Sequence, residues 1–188
     1  MALNPIVGES KSWNYSRPDK DGYSTSIVGT VVGIQEVQAT NFGMDGRPST
    51  PQFWDSGEPK MNIRLILAGK AGGFKTLTFQ PASRAAKEGK RKSIHLDLFA
   101  LAGGKDMMNL IGKTIKISTE EPPNNFSYGR GNPRPWSVEL VTDQGPFELK
   151  EELDPIYLLP QVYAEKAVSG GAVRQVAAPQ GTDDDIPF

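Results

Sequence analysis

The stretch that decides the fold is Ser24-Thr25-Ser26-Ile27-Val28-Gly29-Thr30-Val31-Val32-Gly33-Ile34-Gln35-Glu36-Val37-Gln38. β-Branched residues crowd it, and their stiff side chains suit a pleated, half-buried surface better than a helix. Gly29 and Gly33 sit inside it, where glycine weakens a strand unless the backbone bulges or coils sharply. Residues 24–38 therefore predict one long, bent strand of the kind that small barrels require.

Toward the C-terminus, Asn41, Gly43, Asp45, Gly46, Pro48 and Pro51 make a turn-rich connection. Gln52-Phe53-Trp54-Asp55 then passes through the tight turn Ser56-Gly57-Glu58-Pro59 into a returning strand over residues 60–68. Period two places Met61, Ile63, Leu65 and Leu67 on one face of it, and Lys60, Asn62, Arg64 and Ile66 on the other. Beyond Gly69-Lys70-Ala71-Gly72-Gly73, residues 74–80 alternate again, with Lys75, Leu77 and Phe79 opposite Phe74, Thr76 and Thr78.

Pro81 ends that strand. Residues 83–101 suit helix apart from Gly89, with Ile94, Leu98 and Leu101 on one side, until Gly103-Gly104 breaks the pattern. Residues 106–111 read as a short apolar helical turn, and residues 112–119 as a strand, Ile115 and Ile117 against Lys116 and Ser118. A loop rich in proline and glycine precedes the last strand, residues 136–141. Five strands, one or two short helices between the later ones and no βαβ alternation predict a mainly β chain. Among such folds the five-stranded OB-fold barrel fits best.

The flanks read differently. Residues 1–22 are polar and broken by Pro5, Gly8, Pro18 and Gly22, an irregular N-terminal arm. The OB-fold body would span 23–145. Residues 146–168 are amphipathic enough for a short docking helix, although Pro155 and Pro160 interrupt it, and 169–188 form a linker and acidic end too small and polar to fold alone.

Charge divides the same way. Residues 1–140 carry 18 Lys and Arg against 13 Asp and Glu, a net of +5; residues 141–188 carry 3 against 9, a net of −6. A mildly basic body with an acidic end suits a protein that attracts a polyanion and carries a separate arm. The 188 residues contain no cysteine and one histidine, His95. Disulfides, thiolate metal sites and a cysteine nucleophile are thus excluded, and a lone histidine is a poor anchor for zinc. Neither a P-loop nor a G-x-S-x-G elbow occurs. No catalytic residue, metal or cofactor is expected. No apolar run approaches the ~18 residues of a membrane span, and Met1-Ala2-Leu3-Asn4-Pro5 lacks the order of a signal peptide. The expectation is a cytoplasmic protein with no membrane partner.

The chain closes on Asp183-Asp184-Asp185-Ile186-Pro187-Phe188. Carboxylates, an apolar residue, a stiff proline and an aromatic residue bearing the terminal carboxylate make a portable ligand for a basic-rimmed apolar pocket. This ending resembles the acidic tip of bacterial single-stranded DNA-binding proteins. The I-V-G-T-V-V-G-I strand (27–34) and the F-W-D-S-G-E-P-K hairpin (53–60) resemble the phage-encoded branch of that family more loosely. The resemblance implies single-stranded DNA held by an OB domain without sequence preference, in replication, recombination and repair. It implies also that the tip recruits proteins of those processes inside the bacterial host cell, and it leaves monomer, dimer and tetramer open.

Single-strand binding needs a basic groove for phosphates and aromatic faces for bases. Phe53, Trp54, Lys60, Arg64, Lys75 and Phe79 cluster on the hairpin strands, and Phe126, Tyr128, Arg130 and Arg134 mix aromatic and basic character in the late loop. Trp54, beside a polar turn, is the better candidate for exposure than Trp136. The basic run over residues 84–92 would either track a phosphate backbone or form a solvated helix face. Two further readings compete: a nuclease using Asp97, Asp106, Glu120 and Glu121, and a phage interaction protein that mimics the host tip without binding DNA. A broader DNA-binding protein that also accepts duplex is a variant of the main reading.

Overall fold

The bent strand is the spine of the molecule. Nine strands and two α-helices occur among the described residues: β1 (Ser26–Gln38), β2 (Thr40–Asn41), β3 (Thr50–Pro51), β4 (Met61–Ala68), β5 (Phe74–Phe79), α1 (Arg84–Lys87), α2 (Ile94–Leu101), β6 (Thr114–Thr119), β7 (Trp136–Leu140), β8 (Ala164–Lys166) and β9 (Val173–Gln175). The computed structural model describes residues 11–41, 50–121, 128, 133–162, 164–166 and 173–175. Five strands form one antiparallel sheet in the order β5-β4-β1-β6-β7; β2-β3 and β8-β9 are separate two-stranded pairs.

β1 serves both halves of the sheet. Ser26 to Thr30 pair with Ser118 to Thr114 of β6, while Thr30 to Gln38 pair with Ala68 to Met61 of β4, the register slipping between Val31 and Gly33. A Cβ on Gly29 would lie 2.8 Å from Leu67 Cβ, and one on Gly33 would lie 2.9 Å from Ile66 Cδ1. The two glycines thus let β4 cross closely over the bulge, as their place in a β-branched run suggests.

One face of the sheet carries the main core: Val31, Leu65, Leu67, Leu77, Phe79, Ile115 and Ile117, closed by Ile94 and Leu98 of α2 and by Met107 and Leu110 of a 3-10 turn. His95 Nδ1 accepts the backbone N–H of Ala82 at 2.9 Å, and its ring lies 6.4 Å from that of Phe79 and 6.3 Å from that of Phe99. Burial, and then the charge of Lys87, hold its pKa below the usual imidazole value. The sole histidine is a neutral packing group that joins α2 to the end of β5.

The opposite face is also covered. Ile66, Ala68 and Phe74 are buried there, and the Phe74 ring meets that of Tyr157, 5.1 Å away in residues 147–161, which run across the sheet. Phe147 N–H donates to Thr30 Oγ1 at 2.7 Å, Lys150 N–H to Gly72 C=O at 2.8 Å, and Gln161 N–H to Glu36 C=O at 2.9 Å. This strap corrects the expected docking helix over 146–168. Its described part is irregular, apart from a 3-10 turn at Pro155–Tyr157 capped by Asp154 and the short strand β8. Pro155 and Pro160 remove helix donors, and the sheet supplies the backbone partners that a helix would have supplied internally.

The N-terminal arm is likewise part of the body where it is described. Trp13 N–H donates to Thr76 C=O at 2.9 Å and Thr76 N–H to Lys11 C=O at 2.7 Å, so the arm extends the free edge of β5. From there the Trp13 and Tyr15 rings reach Trp136 of β7, at 6.2 and 5.1 Å. Residues 11–15 thereby span the gap between the two sheet edges.

Candidate nucleic-acid interface

Two places combine an aromatic face with a cation. The first is the hairpin before β4. Trp54 N–H donates to Glu58 C=O and Gly57 N–H to Trp54 C=O, both at 2.8 Å, and Phe53 forms an isolated bridge with Pro59. The base of the hairpin is tied to the end of β1, since Ala39 N–H donates to Lys60 C=O and Gln52 N–H to Ala39 C=O, both at 2.7 Å. So tight a turn points the Trp54 indole outward, and it is 56% exposed. Lys60 Nζ sits 4.8 Å from its ring centroid. That contact is worth about 0.5–1 kcal/mol at an exposed site and holds a positive charge beside a free π-face. Phe53 and Lys60 are themselves half-buried.

The second place is the junction of the N-terminal arm with β7. The Arg134 guanidinium carbon lies 5.0 Å from the Tyr15 ring and 4.5 Å from the Tyr128 ring. Its Nη1 donates to the Tyr15 and Glu120 carbonyls, at 3.3 Å each, and Tyr128 Oη donates to Glu121 C=O at 3.4 Å. The guanidinium is thus fixed among two phenol rings, with Trp136 and Trp13 packed behind Tyr15. Tyr15 was legible only as the aromatic-basic mixture Trp13-Asn14-Tyr15-Ser16-Arg17, the same signal that marks the loop before β7.

The other expected contacts separate. Arg64 donates from Nη1 to Gln35 Oε1 at 3.2 Å and Gln161 Oε1 at 3.3 Å, with Tyr157 stacked on it, so it holds the strap and does not face an open groove. Phe79 is 9% exposed and belongs to the main core, where it packs against other side chains and offers no stacking surface. Alternation placed both residues on their strands correctly, yet it could not tell which face would be covered. Lys75 is exposed and lines a cleft beside the N-terminal arm. Phe126, Arg130 and all six tip residues, Asp183, Asp184, Asp185, Ile186, Pro187 and Phe188, lie outside the described residues.

In the basic run, Glu88 accepts from Arg84 Nε at 2.8 Å and from Lys90 Nζ at 2.7 Å. The hydrogen bonds from Lys90 and then Arg84 lower its pKa and neutralise part of the run locally. Asp106 caps the 3-10 turn through Met108 N–H at 2.8 Å. Among the described residues, no three His, Asp or Glu side chains converge as metal ligands. No family model, curated protein or solved structure matches this chain.

Proposed function

We propose that this protein binds single-stranded DNA without reading its sequence, on an OB-fold body, and recruits replication, recombination and repair proteins through residues 183–188. The observation that carries the reading is the Trp54–Lys60 pair: an indole more than half exposed, braced on a tight hairpin, with an ammonium 4.8 Å away. A base stacked on such a face gains about 1–3 kcal/mol, and a cation beside it meets the adjoining phosphate. The Tyr15–Arg134–Tyr128 group offers a second surface of the same chemistry.

The strand order supports the OB-fold. A long, bulged first strand shared by two hairpin-like halves, with a helix between β5 and β6, matches the connectivity of a five-stranded, partly open Greek-key barrel. The arm at residues 11–15 would then complete the wall between β5 and β7. The resemblance of the Asp183-Asp184-Asp185-Ile186-Pro187-Phe188 ending to the bacterial acidic tip supports the recruiting role.

The test is fluorescence anisotropy with labelled oligo(dT) and a matched duplex, each across a salt series. Tight, salt-sensitive binding to oligo(dT) with weak duplex binding is expected, the slope falling by about 0.7 per phosphate contacted on a single strand. Comparable duplex binding would widen the function to general DNA binding. Binding to neither would leave a tip-presenting mimic of the host protein as the better account.

A further inference from the structure

Beside the free edge of β5, the chain from Asn14 to Tyr23 folds back on itself around a single side chain. Asn14 Nδ2 donates to the carbonyls of Arg17, Lys20 and Asp21, at 3.0, 3.3 and 3.4 Å, and Asn14 Oδ1 accepts the Arg17 N–H at 3.0 Å. The Asn14 carbonyl accepts Ser24 N–H at 3.0 Å and closes the loop. One amide therefore fixes four backbone groups in an otherwise irregular, exposed segment. The loop walls a cleft of about 530 Å³, a size that falls within the range of ligand sites.

The lining is cationic. Arg17 and Lys20 line it from the loop and Lys75 from β5, with Asp21 also in the lining and Asp19 3.7 Å from Lys20 Nζ. Ser12 and Ser16 add hydroxyl donors. The aromatic residue at the cleft, Trp13, is 5% exposed, and its Nε1 is committed to Ser24 at 3.0–3.1 Å. The cleft thus presents charge and hydrogen-bond donors but no open ring face. That combination recognises an anion, and cations spread around one open cleft suit the repeated phosphates of a polyanion better than a lone carboxylate.

We infer that this cleft is a preformed phosphate site for the backbone of a bound single strand, an inference that rests on the single-strand reading above. Its neighbour supports the assignment. Tyr15, next in sequence to the Asn14 staple, is half-buried between Trp136 and Arg134, so the cleft adjoins a further fixed cation along the arm. Because Asn14 orders the loop before any ligand arrives, little conformational entropy is lost when a phosphate enters.

The experiment compares three full-length proteins in oligo(dT) binding across a salt series: the natural sequence, Arg17→Glu with Lys20→Glu, and Lys90→Glu with Arg91→Glu. The last pair makes the same change in net charge on the basic run of residues 84–92, which does not line the cleft. The cleft variant is expected to bind at least tenfold more weakly at low salt, with a salt slope shallower by about 1 to 2, and the control pair to lose less than threefold. A fourth protein, Asn14→Ala, keeps every charge; a several-fold loss of affinity at unchanged slope is expected if the staple positions the cations. Equal losses in the cleft and control pairs, or an unchanged cleft variant, would overturn the phosphate site while leaving single-strand binding intact. If the natural protein binds no oligo(dT), the functional reading itself fails, before any variant is compared.

Discussion

The Arg64 guanidinium carbon stands 5.7 Å from the Tyr157 ring centroid, and the edge of that ring in turn meets Phe74 at 5.1 Å. Arg64 and Phe74 lie on neighbouring strands of the sheet, whereas Tyr157 belongs to the strap, so this stack pins a late segment of the chain to the face away from the main core. Gln35 strengthens the pin by donating from its side-chain amide to the carbonyls of Ile156 and Leu159. The consequence is functional: the face of β4 and β5 that bears Arg64 is not an open groove. Open aromatic-basic surface is found at the Trp54 hairpin, where the indole is exposed beside Lys60.

Arg64→Ala is expected to lower stability and leave the intrinsic affinity for single strands nearly unchanged. The substitution takes a charged donor from the side-chain oxygens of Gln35, which is buried, and Gln161, which is half-buried, and a cost of about 1–2 kcal/mol follows. Thermal melting alongside oligo(dT) titration checks this; weakened binding at an unchanged melting temperature would return Arg64 to the interface.

Trp54→Ala is expected to do the reverse. An exposed indole contributes little packing, so the melting temperature should move by a degree or so, while single-strand affinity falls by about 1–3 kcal/mol if a base stacks there. Lost stability with full affinity would mark Trp54 as a structural residue.

Glu151 joins the strap to the arm. Its Oε1 accepts from Lys11 Nζ at 2.9 Å and from Phe74 N–H at 3.0 Å. The Lys11 hydrogen bond first, and the Phe74 N–H with it, hold the carboxyl below the usual 4.5 against the opposing effect of burial. A carboxylate whose pKa is lower folded than unfolded contributes stability that is complete above the unfolded value and lost as pH falls through the folded one. Glu151→Gln should therefore melt earlier than the natural protein at neutral pH, and the difference should shrink toward zero below pH ~4. A difference that persists in acid would mean that shape, and not charge, joins the two segments.

Removal of residues 183–188 is expected to abolish capture of partner proteins while single-strand affinity stays equal or rises. Three aspartates in the removed segment would compete with DNA for a basic surface. Pull-down with replication proteins of a bacterial host, paired with anisotropy, separates the two effects. A drop in DNA affinity on truncation would show that the tip takes part in binding.

The sequence by itself determined the long strands of the main sheet and the residue types they carry. Period-two alternation marked β4, β5 and β6 to within two residues, because each of those strands has a face in the core and the pattern of burial is local. The glycines at 29 and 33 marked the bulge, and the polar turn after Trp54 placed that ring outside. Only the tertiary structure decided what lies over each face. Alternation distinguishes two sides of a strand but carries no information on which will be covered by a segment 80 or more positions away, as Arg64 is by Gln161. The strap and the arm attach through backbone hydrogen bonds to sheet edges, and such bonds leave no periodic trace in the side chains. For the same reason the segments that read as a loose N-terminal arm and a docking helix are, where described, pieces of the sheet's own wall. Through the arm Tyr15 meets Arg134 and Trp136, more than a hundred positions away in sequence, a contact that no local pattern encodes.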